Sequence, residues 1–375
     1  MRCGFVGLVI AALSVTPFAV IAAPPGTLVS ADAVVETPGG MQAWRVRYWT
    51  SSDRGAEIEV TGMVVAPREA IPRQPRDVLA WAHGTWGIAQ KCALSQLNFF
   101  EATPGLTDAI RRNYVVVAPD YPGLGSDMPH PYLGGISTAN SILDAVRAAR
   151  SIAGTASGNR FAVWGESQGG HAALWSGERV RSYAPDLTLI GVAAAAPPTD
   201  LVENLRSGSD PSIRAFLTAF TAYSWSQHYG APLATLGTRS TQGVITRLAQ
   251  NNCIVLGAKP KLGTMLGVAV LRRDLKNVNL GRIEPWAQIS RDNSAVPHDP
   301  GVPVLIAQNA RDVIVSPAVT LAFARKLCRD GARLRYIDIA GRGHETSAKD
   351  SATETLDWID DLFDGRPVSN DCSKI

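Results

Sequence analysis

Residues Gly165-Glu166-Ser167-Gln168-Gly169-Gly170 set a serine inside a G-x-S-x-G pattern. The apolar run Phe161–Trp164 precedes it and a helix-periodic stretch follows, so the serine falls on a strand-to-helix turn. Glycine at 165 and 169 allows a tight turn that would present the Ser167 hydroxyl at the carboxyl edge of a sheet, in front of a helix N-terminus. A serine hydroxyl becomes a useful nucleophile when an imidazole takes its proton, and that imidazole needs a carboxylate to hold its tautomer. The chain must therefore supply an acid and then a histidine after the turn. Asp312 follows the apolar run Val304–Ala307, and His344 follows Leu334–Ile339 in the glycine-flanked stretch Gly341-Arg342-Gly343-His344. Ser167, Asp312 and His344 are the expected nucleophile, orienting acid and base of an acyl-transfer site.

Competing residues fit less well. Asp338 lies within the last strand, Asp200 opens an irregular segment, and Glu345 would have to turn back on its neighbour. His171 belongs to the helix behind Ser167, while His130, His228 and His298 sit in segments with no supporting pattern. The negative charge that develops on an attacked carbonyl needs two N–H donors. One is expected from Gln168, directly after the nucleophile. The other is expected from Thr85 or Trp86 in the loop His83-Gly84-Thr85-Trp86-Gly87, where Gly84 permits a close approach and His83 orients the loop.

These groups need a rigid frame, and the hydrophobic pattern supplies one. Short, almost wholly apolar runs at Val78–Ala82, Tyr114–Ala118, Phe161–Trp164, Leu189–Ala196, Val304–Ala307 and Leu334–Ile339 read as strands buried on both faces. Helix-periodic segments alternate with them at Ser137–Ile152, Gln168–Arg181, Pro317–Cys328 and Ser347–Phe363, which predicts a mostly parallel central sheet flanked by helices. Met41–Tyr48 and Ile58–Val65 alternate polar and apolar residues and read as a hairpin at the exposed edge of that sheet. Residues 200–298 interrupt the alternation with aromatic, helix-like pieces, among them Phe216, Phe220, Tyr223, Trp225 and Tyr229. The expected organisation is a core of residues 23–199 and 299–375 with a helical cap or lid at 200–298. Pro24-Pro25-Gly26 and Gly365–Ile375 read as loose ends.

Met1-Arg2 followed by an apolar stretch from Phe5 to Ala23 has the layout of a secretory signal peptide over residues 1–22, with an uncleaved anchor as the alternative. Export to the exterior or the cell envelope follows. In an oxidising compartment Cys92, Cys253, Cys328 and Cys372 suit two disulfides. Three pairings are possible; Cys92–Cys253, tying the insertion to the core, and Cys328–Cys372, pinning the tail, are preferred. The chain of 375 residues carries 36 Lys and Arg against 33 Asp and Glu, a net +3, and has no run of five like charges. That balance argues against a nucleic-acid partner and for a neutral or weakly charged one. No cysteine–histidine spacing of a zinc site occurs, and the chemistry calls for no cofactor.

Together these residues resemble the α/β-hydrolase superfamily over nearly the whole mature chain. Within it, the Cys92 segment, the turn at Asp120, the run Ala139-Asn140-Ser141-Ile142-Leu143-Asp144-Ala145-Val146-Arg147-Ala148 and the Ser167 turn are similar to the secretory lipase family. The resemblance implies a Ser-Asp-His order mapping onto Ser167, Asp312 and His344, a helical cap before the acid, and two disulfides. The sequence departs from the yeast type in carrying Thr85-Trp86 where that type has an acidic residue. The expected function is a secreted ester hydrolase, lipase or carboxylesterase, acting on a small-molecule or lipid ester with transient contact to a lipid interface. A serine aminopeptidase or amidase on the same fold, or a non-catalytic exported binding protein, are the alternatives.

Overall fold

The computed structural model describes residues 23–375 apart from 70, 71, 256 and 342, so the expected signal peptide lies outside the described residues. Nine strands form one sheet: β1 (Leu28–Ala33), β2 (Met41–Ser51), β3 (Glu57–Pro67), β4 (Arg76–Ala82), β5 (Val115–Pro119), β6 (Ser157–Glu166), β7 (Thr188–Ala195), β8 (Val304–Asn309) and β9 (Leu334–Ile339). Their spatial order is β1-β2-β3-β5-β4-β6-β7-β8-β9. The pairs from β1 to β5 are antiparallel, and every pair from β5 onward through β4 to β9 is parallel. The six runs are the parallel strands; β4 to β8 are covered on both faces as continuous hydrophobicity requires, whereas β9, expected to be buried on both faces, is the sheet edge with Asp338 exposed.

β2 and β3 do pair as a hairpin, with Tyr48 opposite Val60, yet neither is the sheet edge. β1, which its short and half-exposed sequence did not announce, covers β2, and β3 joins the core through β5. The order places β4 in the middle, with β5 on one side and β6 on the other. Connections diverge there, and the crevice beyond the carboxyl ends of β4 and β6 is where an open α/β sheet receives a ligand.

Helices cover both faces. α1 (Phe99–Ala102) and α2 (Leu106–Arg111) follow β4, α3 (Gly135–Ala149) precedes β6, and α4 (Gln168–Tyr183) follows it. α5 (Leu201–Ser207), α6 (Pro211–Tyr229), α7 (Arg239–Asn251), α8 (Leu262–Asp274) and α9 (Trp286–Asp292) fill the span between β7 and β8. α10 (Pro317–Arg329), α11 (Ser347–Asp350) and α12 (Ala352–Phe363) complete the chain, and the single helix expected over 347–363 breaks at Ser351. Alternate residues of the strands point to opposite layers. Val78, Ala80, Val163 and Val192 pack with Ile142, Val146 and Ala173 of α3 and α4. Leu79, Trp81, Ala162 and Trp164 pack instead with Leu106 and Ile110 of α2 and with Leu356 and Ile359 of α12.

The helices between β7 and β8 have a core of their own around Phe220, Trp225, Ile245, Leu248, Leu271 and Trp286. Cys92–Cys253 ties them to the loop after β4, and Cys328–Cys372 closes the second disulfide. Neither end is loose. The Gly26 N–H donates to the Trp49 carbonyl at 2.7 Å, and Asp371 receives the Tyr336 N–H at 3.1 Å while its own N–H donates to the Leu334 carbonyl at 2.6 Å. The tail extends the β9 edge through these bonds, so Cys372 is held beside α10 rather than trailing in solvent. Among the described residues no helix is long and apolar enough to cross a membrane.

The second disulfide closes a loop spanning 44 residues, and removing it restores chain entropy to the unfolded state. Replacing Cys328 and Cys372 together by serine should destabilise the protein by about 2–4 kcal/mol. Urea denaturation reads this directly, and an unchanged midpoint would show that the tail's hydrogen bonds suffice alone.

Candidate active site

Ser167 sits between β6 and α4 with φ +55° and ψ −118°, a backbone conformation that side-chain-bearing residues rarely adopt. Its neighbours explain how the turn survives. A Cβ on Gly165 would lie 2.1 Å from the Gly169 carbonyl oxygen, and one on Gly169 would lie 1.8 Å from that of Ala82. Only glycine at both positions lets α4 start this close to β4 and β6. The Ser167 N–H donates to the Ala195 carbonyl at 2.8 Å, which anchors the turn to β7.

Two other loops converge on the serine. Asp312 lies just beyond β8, and its Oδ1 accepts the N–H groups of Ile314 and Val315, each at 2.9 Å. Its Oδ2 accepts from Gln308 Nε2 at 3.1 Å and from His344 Nδ1 at 2.8 Å. With the carboxylate accepting at Nδ1, the ring's other nitrogen is free to accept, and the Ser167 hydroxyl stands 2.8 Å from Nε2. Burial lowers the His344 pKa, but the hydrogen bond and charge of Asp312, aided by Glu166 and Glu345, outweigh it and leave the ring more basic than usual. The loop carrying His344 is strapped to the end of β8: Asn309 Nδ2 donates to the Gly341 carbonyl at 3.0 Å, and Arg311 Nη2 donates to the same oxygen at 2.8 Å.

Glu166 is a second carboxyl in the site, and the sequence reading left it unassigned. Its Oε1 accepts the Ala348 N–H at 2.8 Å, so it holds the start of α11, four residues after His344. Burial raises its pKa to about 7, against the lowering effects of that N–H and of His344.

The loop after β4 passes beside the turn. A Cβ on Gly84 would meet the Glu166 carbonyl at 3.4 Å and the Ser167 Cβ at 3.8 Å. Gln168 and Thr85 are joined through their side chains, for the Thr85 hydroxyl donates to Gln168 Oε1 at 3.2 Å. Tyr132 OH lies 3.0 Å from the Thr85 hydroxyl, and Gln168 Nε2 donates to His130 Nε2 at 2.9 Å. His130 Nδ1 must then carry the ring proton, which it donates to the Pro122 carbonyl at 2.7 Å. Burial pulls the His130 pKa down to about 3, keeping the ring neutral as this line of bonds demands. His130 and Tyr132 were missed because their segment, Asp127-Met128-Pro129-His130-Pro131-Tyr132, is proline-rich and carries no motif.

The remaining candidates lie elsewhere. Asp200 caps α5 by accepting the Glu203 N–H at 3.0 Å, Asp338 and Glu345 face solvent, and His171 donates to the Asn293 carbonyl within the packing behind α4. His228 pairs with Asp53 at 3.0 Å and His298 with Asp330 at 2.7 Å. His83 Nδ1 contacts the Gly84 carbonyl oxygen at 2.6 Å with its ring against Tyr121, so it shapes the loop from behind. Trp86 turns its carbonyl to the Ile254 N–H at 2.8 Å and its ring into the layer beneath the sheet. No cluster of three or more metal-ligating side chains occurs among the described residues.

Sheet order, strand-turn-helix serine and the acid and histidine beyond β8 and β9 define an α/β hydrolase. The fold is that of Candida antarctica lipase A in its closed state, with a TM-score of 0.76 at 20% identity over 92% of this chain and 84% of that one. It is equally that of the rice cell wall degrading esterase LipA from Xanthomonas oryzae, at 0.72 and 19%, over 92% of this chain and all of the other. The secretory lipase family model matches residues 100–371, and the chain belongs to that family. Among curated relatives, Lipase 5 of Candida albicans is 26% identical over 273 residues, 70% of this chain and 58% of that protein. A probable inactive lipase of Mycobacterium tuberculosis is 24% identical over 352 residues, 89% of this chain and 76% of that one. The relatives thus include proteins named as a lipase and as a probable inactive lipase, and the argument for catalysis rests on the site itself.

Between pH 4.5 and about 7 the native state holds a proton on Glu166 that the unfolded chain has already released. This group's contribution to stability is therefore largest in acid and falls as pH rises through 7. Glu166→Gln keeps an oxygen for the Ala348 N–H and removes the charge. Its melting temperature relative to the wild type should climb from pH 5 to pH 8, and a constant difference would refute the assignment.

Proposed function

We propose that the chain is a secreted serine ester hydrolase that cleaves acyl esters through an acyl-enzyme intermediate. The observation carrying this reading is the continuous line of hydrogen bonds from the Ser167 hydroxyl through His344 to Asp312. In the proposed mechanism His344 Nε2 takes the Ser167 proton as Oγ attacks the ester carbonyl, and Asp312 stabilises the imidazolium without accepting its proton. The tetrahedral oxyanion is held by the Gln168 N–H, one of the unpaired donors at the start of α4, and by the Thr85 N–H. Thr85 is preferred to Trp86 because its side chain is bonded to Gln168 while Trp86 is turned toward Ile254. The imidazolium then protonates the departing alcohol. Water, deprotonated by the same ring, releases the acyl group and restores Ser167.

A pocket at Ser167 and Gln168 supports an ester with an apolar acyl part. Its walls include Leu133, Leu201, Leu205, Ile213, Leu217 and Val315. A cavity of about 60 Å³ with mostly aliphatic walls suits a small apolar group. None of the residues lining it is acidic, which counts against an aminopeptidase, since a substrate ammonium would lack a counter-charge. Walls drawn from α5 and α6 support reading the helices between β7 and β8 as the cap of this site. The two disulfides and the secretory relatives support export.

A fluorophosphonate probe should label the wild-type protein and leave Ser167→Ala unlabelled; labelling of both, or of neither, would overturn the proposal. Because only neutral His344 can take the serine proton, ester turnover should fall in acid with a midpoint above the usual imidazole value of 6.5. A pH–kcat profile checks this, and an acid limb below 6 would show that the Asp312 pair does not control the base.

A further inference from the structure

Between Asp210 and Asp274 the chain contains no acidic residue. Residues 211–273 carry seven cations, Arg214, Arg239, Arg247, Lys259, Lys261, Arg272 and Arg273. The whole chain has a net charge of +3, so the rest of it is net negative and the positive charge is concentrated on the helices over the pocket. Exposed apolar bulk gathers in the same place. Of the eight exposed large hydrophobic residues among the described ones, Val255, Leu262, Met265 and Leu266 fall within twelve positions. Leu262, Met265 and Leu266 are 71%, 56% and 60% exposed, and their spacing puts them on one face of α8.

The opposite face of α8 is already used. Leu271 is buried, and Gly267 fits so tightly over Leu248 of α7 that a Cβ would come within 3.0 Å. A helix that is apolar all round belongs in an apolar surrounding on every side, and protein covers only one side of this one. Lys259 and Lys261 stand exposed before its first turn, and Arg272 and Arg273 stand exposed in its last. Arg273 is paired with Asp274 at 2.8 Å, whereas among the described residues no ion pair engages Lys259, Lys261 or Arg272. An apolar stripe bracketed by cations, with Asp274 at its far end the first acid after Asp210, is complementary to a layer of hydrocarbon beneath negative headgroups.

We propose that the outer face of α8, with Lys259 and Lys261, docks the protein onto an anionic lipid–water surface. Docking there brings the pocket to its source of substrate, because α8 packs on α6, whose Ile213, Leu217 and Thr221 line the pocket. It also loads the disulfide-tied joint at which the Ile254 N–H meets the Trp86 carbonyl, beside the loop that carries Thr85. This inference names the phase in which the proposed ester would be met, yet the binding itself is independent of catalysis.

The test uses the mature chain with Ser167→Ala, so that vesicles are not consumed, and co-sedimentation with phosphatidylcholine vesicles with or without one quarter phosphatidylglycerol. Binding should be about tenfold or more tighter with phosphatidylglycerol and should weaken as salt is raised. Adding Leu262→Asp and Leu266→Asp should abolish it. Lys259→Ser with Lys261→Ser should remove the preference for the anionic vesicles and flatten the salt dependence. Both pairs are at exposed positions, and an unchanged melting temperature verifies the fold. Failure to bind either vesicle, equal binding to both, or wild-type binding by the α8 variant would each overturn the inference. Failure of the ester hydrolase reading would instead appear in the fluorophosphonate labelling and leave the vesicle result unchanged.

Discussion

The Ala82 carbonyl, at the end of β4, leaves no room for a side chain at residue 169, and the Gly169 carbonyl leaves none at residue 165. This close crossing of the first turn of α4 over two central strands governs the geometry of everything above it. The chain has one way to leave β6 and start the helix at that distance, and it puts Ser167 at φ +55°. Strain of this kind costs of order 1–3 kcal/mol and persists only where surrounding packing over-determines it. The layers of α3 and α4 on one face and α2 and α12 on the other supply that determination. The same crossing brings the loop after β4 alongside the serine, so that Ser167 and the backbone around Gly84 are placed by one piece of packing.

Electrostatics then differentiates side chains of the same type. His130, His171 and His344 are all shielded from water, and burial alone would keep each neutral. It does so for His130 and His171, whose partners are the carbonyls of Pro122 and Asn293. His344 faces a carboxylate that is itself held by two backbone N–H groups and a glutamine, and its pKa rises instead. Glu166, with one N–H and a desolvated setting, is pushed instead toward its protonated form.

The helices between β7 and β8 add a third layer of control. They own a separate core and reach the sheet domain through the pocket walls and the Cys92–Cys253 bridge. A covering built this way can differ in charge and outward polarity from the sheet domain without disturbing its packing. That freedom is visible in the cationic, outwardly apolar α8, a surface the sheet core could not carry without exposing its own strands.

The sequence by itself determined the parallel strands, the strand-turn-helix serine and the order of acid and base, because each is signalled by residues adjacent in the chain: continuous apolar runs, paired glycines, a polar loop after a strand. It left three cysteine pairings open with a preference among them, and the structure holds the preferred one, Cys92–Cys253 with Cys328–Cys372. Tertiary structure alone decided that β1 covers β2, that the tail extends β9, that Ser351 interrupts the last helix, and that His130 and Glu166 stand behind the turn at Ser167. Those outcomes depend on which distant segments exclude water from one another. His130 and Gln168 are 38 residues apart, and Glu166 and Ala348 are 182 apart. No local pattern encodes the bond each pair makes, since its strength and the charge state it enforces arise only when packing removes the solvent between them.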